Sequence, residues 1–164
     1  MSKSHGPTLP PALVERLSQR NLPAHLGRGL PFVTVDPDGR PHPMLLSYLE
    51  IRAVDPGALA IVIGSASRTA ANLAARSVAT LLLVEPEMIF YIKARTAVGP
   101  LEVTGQPGLA LFLLAVGDVL EDAAAGWEAG MQIESGIRYG PPPSLEEPWA
   151  RATIAALASA RPPR

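Results

Sequence analysis

The sequence predicts a mainly β, α+β fold in which six antiparallel strands close into a small barrel with short flanking helices. Three observations predict it. Apolar runs of strand length recur from Leu30 to Leu120. The 18 prolines and 14 glycines of this 164-residue chain fall mostly between those runs, where turns belong. The first three runs are joined by connections too short for the helical crossovers that parallel strands need.

The elements follow in order. Pro10 to Gln19 places Leu13, Val14 and Leu17 on one helical face after a Pro-Pro start, with Pro23 closing the segment. Leu30 to Val35 is a first strand, ended by the turn Asp36-Pro37-Asp38-Gly39, and Pro43 to Arg52 is a second. Asp55-Pro56-Gly57 turns the chain into a third strand, Leu59 to Ile63, which completes an antiparallel meander. Gly64 breaks that run, and Ser67 is a favoured N-cap for a helix over Arg68 to Arg76. Val78 to Val84, the turn Glu85-Pro86-Glu87, Met88 to Ala97 and Leu109 to Leu120 supply the remaining strands. So many strands in one small domain favour closure, which removes exposed sheet edges. Ser144 and Glu147 have capping-box spacing ahead of a last helix with Trp149, Ala152, Ala156 and Leu157 on one side. Trp127 and Trp149 are expected in core or dimer contacts. The domain division is an N-terminal helical arm over 1–28, a barrel over 29–122 and a C-terminal loop and helix over 123–164.

Composition narrows the function classes. A chain that is 48% hydrophobic with a mean hydropathy of +0.20 can bury a good core. Fourteen basic against fifteen acidic residues leave a net charge of -1, without the overall basic field that draws a protein onto nucleic acid or acidic lipid. There is no cysteine, hence no thiolate nucleophile or cysteine-bound zinc, and His5, His25 and His42 lack metal-ligand spacing. No apolar run approaches the roughly 18 residues of a membrane span, and the first residues lack a signal-peptide core. A cytoplasmic protein is expected, acting on neither nucleic acid nor membrane.

The stretch from Leu59 to Arg76 carries the chemistry. An apolar strand breaks at a glycine and gives way to Ser65-Ala66-Ser67-Arg68 and a helix of small residues. The first free N–H groups of a helix, an N-cap hydroxyl and an adjacent guanidinium suit an anion such as a phosphate ester. A doubly wound dinucleotide fold is the weaker reading, because its G-x-G-x-x-G turn is absent and the upstream hairpins break the strand-helix rhythm. Along Met88 to Ala97, alternation puts Ile89, Tyr91, Lys93 and Arg95 on one face and Phe90, Ile92 and Ala94 on the other.

The segment Ser67-Arg68-Thr69-Ala70-Ala71-Asn72-Leu73 between two apolar strands, within this order of elements, resembles the pyridoxamine 5′-phosphate oxidase-like FMN-binding split β-barrels. The resemblance runs from about Pro31 to Leu120. It implies a split barrel binding FMN, with Ser67 and Arg68 as phosphate ligands and Ser65 beside them. Thr69 stands where many relatives carry a cation, and Lys93 or Arg95 could supply the missing charge. Ser47 falls in the region where relatives line the flavin ring. It also implies a homodimer with the cofactor sites at the interface. The expected activity is a flavin-dependent oxidoreductase of unidentified small-molecule substrate, with NAD(P)H as a candidate donor. No catalytic residue is assigned, since a flavin supplies its own hydride and electron chemistry, and no metal is expected. Flavin or haem binding without catalysis on the same barrel, or a deazaflavin-dependent reductase, are the alternatives.

Overall fold

The computed structural model describes residues 2–86, 88–123, 126–128 and 130–162. The strands are β1 Lys3–Ser4, β2 Arg28–Val35, β3 Pro41–Ser47, β4 Ile51–Asp55, β5 Ala58–Gly64, β6 Val78–Glu85, β7 Met88–Glu102, β8 Leu109–Glu121 and β9 Ile137–Arg138. The helices are α1 Pro11–Arg16, α2 Leu22–His25, α3 Arg68–Arg76 and α4 Pro148–Ser159. All strands belong to one antiparallel curled sheet whose main path runs β3-β2-β6-β7-β8-β5-β4, with β1 added to β8 and β9 to β2.

The expected mainly β barrel is present, with more strands than the six predicted. The predicted second strand, Pro43 to Arg52, is two strands separated by a 3-10 turn at Tyr48–Glu50. Ser47 and Glu50 form a capping box there, with both the backbone N–H and the hydroxyl of Ser47 donating to Glu50 Oε2 at 2.7 Å. The turn sends β3 and β4 to opposite ends of the sheet path, so the expected meander is two separate hairpins, β2–β3 and β4–β5. The barrel is split where the turn crosses between them, with Tyr48 and Leu49 buried in the gap.

The core follows from strand alternation. On β6, Ala79, Leu81, Leu83 and Glu85 face inward while Val78, Thr80, Leu82 and Val84 are half-buried on the outer surface. Phe32, Leu81, Ile92 and Phe112 fill the interior, and Leu13 and Leu17 of the N-terminal segment close one end. Pro23 lies in the first turn of α2 rather than ending the preceding helix. Strand β7 runs past the predicted end at Ala97 because it bends, through register shifts, between Thr96 and Leu101. Gly99 serves that bend with φ +134, and a Cβ there would lie 2.7 Å from Phe112 Cδ1.

Helix α4 begins at Pro148, and its predicted capping box does not form. Ser144 instead holds a turn, its hydroxyl accepting from the N–H of Glu146 at 3.2 Å. The buried face is Ala150, Thr153 and Leu157, and Trp149 points outward. Leu157, with Ala152 and Ala156, packs in a second apolar cluster with Ala60, Val62, Leu111 and Leu113 on the outside of β5 and β8, while Ala150 joins the main core. Trp127, expected in a core or dimer contact, is 86% exposed in the chain. Glu87 of the predicted turn lies outside the described residues.

At the far end of β6 a carboxylate is buried outright. Glu85, 3% exposed, accepts from the Tyr48 hydroxyl at 2.7 Å and pairs with Arg28 at 2.9 Å and with Arg16. This charge cluster ties α1, the start of β2 and the 3-10 turn to the end of β6.

Candidate functional site

A groove of about 470 Å³ lies on the outer surface of the sheet. Its floor is apolar, with Val33 and Val35 from β2, Val78 from β6 and Ala115 from β8. Lys93 and Arg95 rise from β7 along it, on the same outward face of the strand as predicted, while Phe90, Ile92 and Ala94 turn into the core. Register aligns the walls: Val33 pairs with Thr80, Thr80 with Lys93, and Lys93 with Asp118. The ladder then skips Gly117, since Ala94 pairs with Val116, and this bulge sets a residue without a side chain in the groove.

The two cations differ in their ties. Lys93 Nζ lies 3.7 Å from Asp118 Oδ2, an ion pair open to solvent. Arg95 forms no ion pair with a described residue and lies in register with Val78 and Ala115. An apolar floor beside two such cations suits a flat, largely apolar ligand that carries an anionic group.

Beyond Val35 and Pro41, which line the groove, come Asp36 and His42. Asp36 Oδ1 accepts from Asn72 Nδ2 at 3.0 Å and sits 3.7 Å from both His42 Nδ1 and Arg68 Nη1. The Asn72 hydrogen bond, helped by His42 and Arg68, holds the Asp36 carboxyl below the usual aspartate range against the opposing effect of burial.

The residues expected at the site are dispersed over several places. Lys93 and Arg95 are brought together in the groove. Arg68, 62% exposed, reaches Asp36 past its end. Ser67 caps α3 as expected, its hydroxyl accepting from the N–H of Ala70 at 3.1 Å. The Ser65 hydroxyl instead donates to the carbonyl of Pro107 at 3.3 Å. Thr69 is buried at 2% exposure, and Ser47 is engaged with Glu50 at the barrel split. Sequence reasoning missed Asp36 and set His42 aside. The signal for both was the hairpin, which pairs Thr34 with His42 and so places Asp36 and His42 together at its turn.

No family model and no curated protein matches the chain. Solved structures of the same fold do. A candidate pyridoxamine 5′-phosphate oxidase from Lactobacillus delbrueckii aligns with a TM-score of 0.56 at 18% identity, covering 73% of this chain and 98% of its own. HupZ of Group A Streptococcus aligns with a TM-score of 0.51 at 12% identity, covering 80% of this chain and all of its own, 100%. The chain has the split-barrel fold of the pyridoxamine 5′-phosphate oxidase-like proteins. Among the described residues no helix is long and apolar enough to cross a membrane, and no group of His, Asp and Glu could hold a metal ion.

Proposed function

We propose that the groove binds FMN and that the protein is a flavin-dependent oxidoreductase acting on a small molecule. The observation that carries this reading is the pairing of an apolar floor across β2, β6 and β8 with Lys93 and Arg95 on β7. The floor accepts a flavin ring by apolar contact, and the two cations attract its phosphate, with Arg68 at the groove's end as a further source of positive charge. At about 470 Å³ the groove is within the ordinary size of small-molecule sites. A bound flavin would supply hydride and electron transfer, so the chain's own task is to hold and orient the ring and to keep one face open to a reductant such as NAD(P)H.

Titration of FMN into the purified protein, followed by quenching of flavin fluorescence, tests the reading. Arg95→Ala should weaken FMN binding by about 1–3 kcal/mol, the worth of a charge-assisted hydrogen bond, and leave riboflavin binding nearly unchanged. FMN affinity equal in the two proteins rejects the assignment. Reduction of the bound flavin by NADH or NADPH separates an enzyme from a protein that only stores flavin.

The groove also favours a homodimer. Helix α4 already packs Leu157, Ala152 and Ala156 on the outer side of β5 and β8. The uncovered part of the sheet is elsewhere, with Leu82 and Val84 half-buried on β6 and Leu45 51% exposed on β3. A second copy packed there would roof the groove, and a monomeric elution volume in gel filtration at micromolar concentration contradicts it.

A further inference from the structure

Past the end of the groove, at the hairpin turn that follows Val35, the chain holds an anion of its own. Asp36 Oδ1 is the meeting point of Asn72, His42 and Arg68, side chains from α3 and from the strand facing β2. The Asp36 backbone is fixed by the hairpin turn, its N–H donating to the carbonyl of Arg40 at 2.8 Å and its carbonyl accepting from Gly39 at 2.9 Å. Asn72 is 2% exposed and divides its amide between Asp36 and Thr34 Oγ1, at 3.0 and 3.1 Å, so moving the carboxylate away would strand a buried donor. Arg40, on the same turn, pairs with Asp38 instead.

We propose that Asp36 is a specificity-determining residue, a chain-borne anion that competes with the ligand's phosphate for Arg68 and His42 and so lowers the groove's preference for phosphorylated over unphosphorylated flavin. The proposal rests on the flavin reading above. A phosphate reaching this corner must either draw Arg68 and His42 away from Asp36 or lie beside a like charge, and both outcomes cost affinity. The competing anion is tethered, so it acts at high effective concentration and is not diluted away. Riboflavin, which lacks the phosphate, meets neither cost.

The test is the ratio of the riboflavin Kd to the FMN Kd, measured by fluorescence quenching at low salt for wild type and Asp36→Asn. Asparagine keeps an oxygen for Asn72 and removes the charge. The ratio is expected to rise about tenfold through tighter FMN binding, with the riboflavin Kd unchanged within about twofold. Asp36→Ser, whose hydroxyl can also accept from Asn72, serves if the asparagine variant does not fold. Arg68→Gln in the wild-type background gives an independent reading, because an arginine shared with Asp36 should change the ratio by less than about threefold. A ratio unmoved or lowered by removing the Asp36 charge, or a larger fall on Arg68→Gln, overturns this inference and leaves the flavin reading standing. Failure of wild type and variants alike to bind either flavin overturns both.

Discussion

Glu85 and Asp36 stand at opposite ends of the β2–β6 pair, and the protein treats the two carboxylates differently. Glu85 is sealed at 3% exposure, with a hydroxyl at 2.7 Å, one guanidinium at 2.9 Å and a second in ion-pair contact. Asp36 has one close donor, Asn72, with Arg68 and His42 each held off at 3.7 Å, past the end of an open groove. The same kind of cluster, a carboxylate among basic side chains, serves cohesion where it is desolvated and closed. It remains available for exchange where it is loose and wet. The closed cluster ties together the N-terminal helix, the barrel split and the end of β6, and the open one borders the surface where a ligand would lie.

The largest expected effect falls on the closed side. Glu85→Ala removes the buried carboxylate that pairs with Arg16 and Arg28 and accepts from the Tyr48 hydroxyl. Breaking a buried ion pair by deleting one member costs about 3–5 kcal/mol. Urea denaturation of Glu85→Ala against wild type should show a loss of this size. A loss below about 1 kcal/mol, the range of an exposed ion pair, would erase the distinction between the two carboxylates.

This contrast explains how much could be read from the sequence. The strands from Leu30 onward, the N-cap at Ser67 with its helix, and the inward and outward faces of β7 were legible, because period-2 alternation and capping chemistry are local. The split at Tyr48–Glu50 was also written locally, as a serine followed three residues later by a glutamate, yet it was overrun by the apolar run that continues through Leu49 and Ile51. Glu85 reads in sequence as the first residue of a turn, since nothing near it names Arg16, Arg28 or Tyr48 as partners. Those contacts exist only once α1 and the barrel split are folded against β6. The candidate site divides the same way. Lys93 and Arg95 share a strand face and could be paired by counting, whereas Asp36 meets Arg68 and Asn72 across about thirty-five positions of sequence. The phosphate-cradle motif located Ser67 and Arg68 correctly on α3, but it could not show that the nearest anion to Arg68 is one of the chain's own.

The smaller effect belongs to the open side and appears as a pH dependence. Hydrogen bonding from Asn72 is the leading reason that the folded state prefers the ionised form of Asp36, with His42 and Arg68 adding to it. The folded pKa therefore lies below the ordinary aspartate value. A depressed carboxylate pKa gives stability that is fully present above the unfolded-state value and is lost as the pH falls through the folded one. Asp36→Asn keeps the acceptor for Asn72 and cannot titrate, so its stability carries no such contribution. The stability of wild type relative to Asp36→Asn, followed by urea denaturation, should be constant from neutral pH down to about pH 5 and decline below it. The decline should flatten at the most acidic values, once Asp36 is protonated in both states. A difference that grows as the pH falls, or one that stays level throughout, would mean that Asn72, His42 and Arg68 do not hold Asp36 as a resident anion. The two carboxylates would then differ in burial alone, with the Arg68 corner open to any phosphate that reaches it.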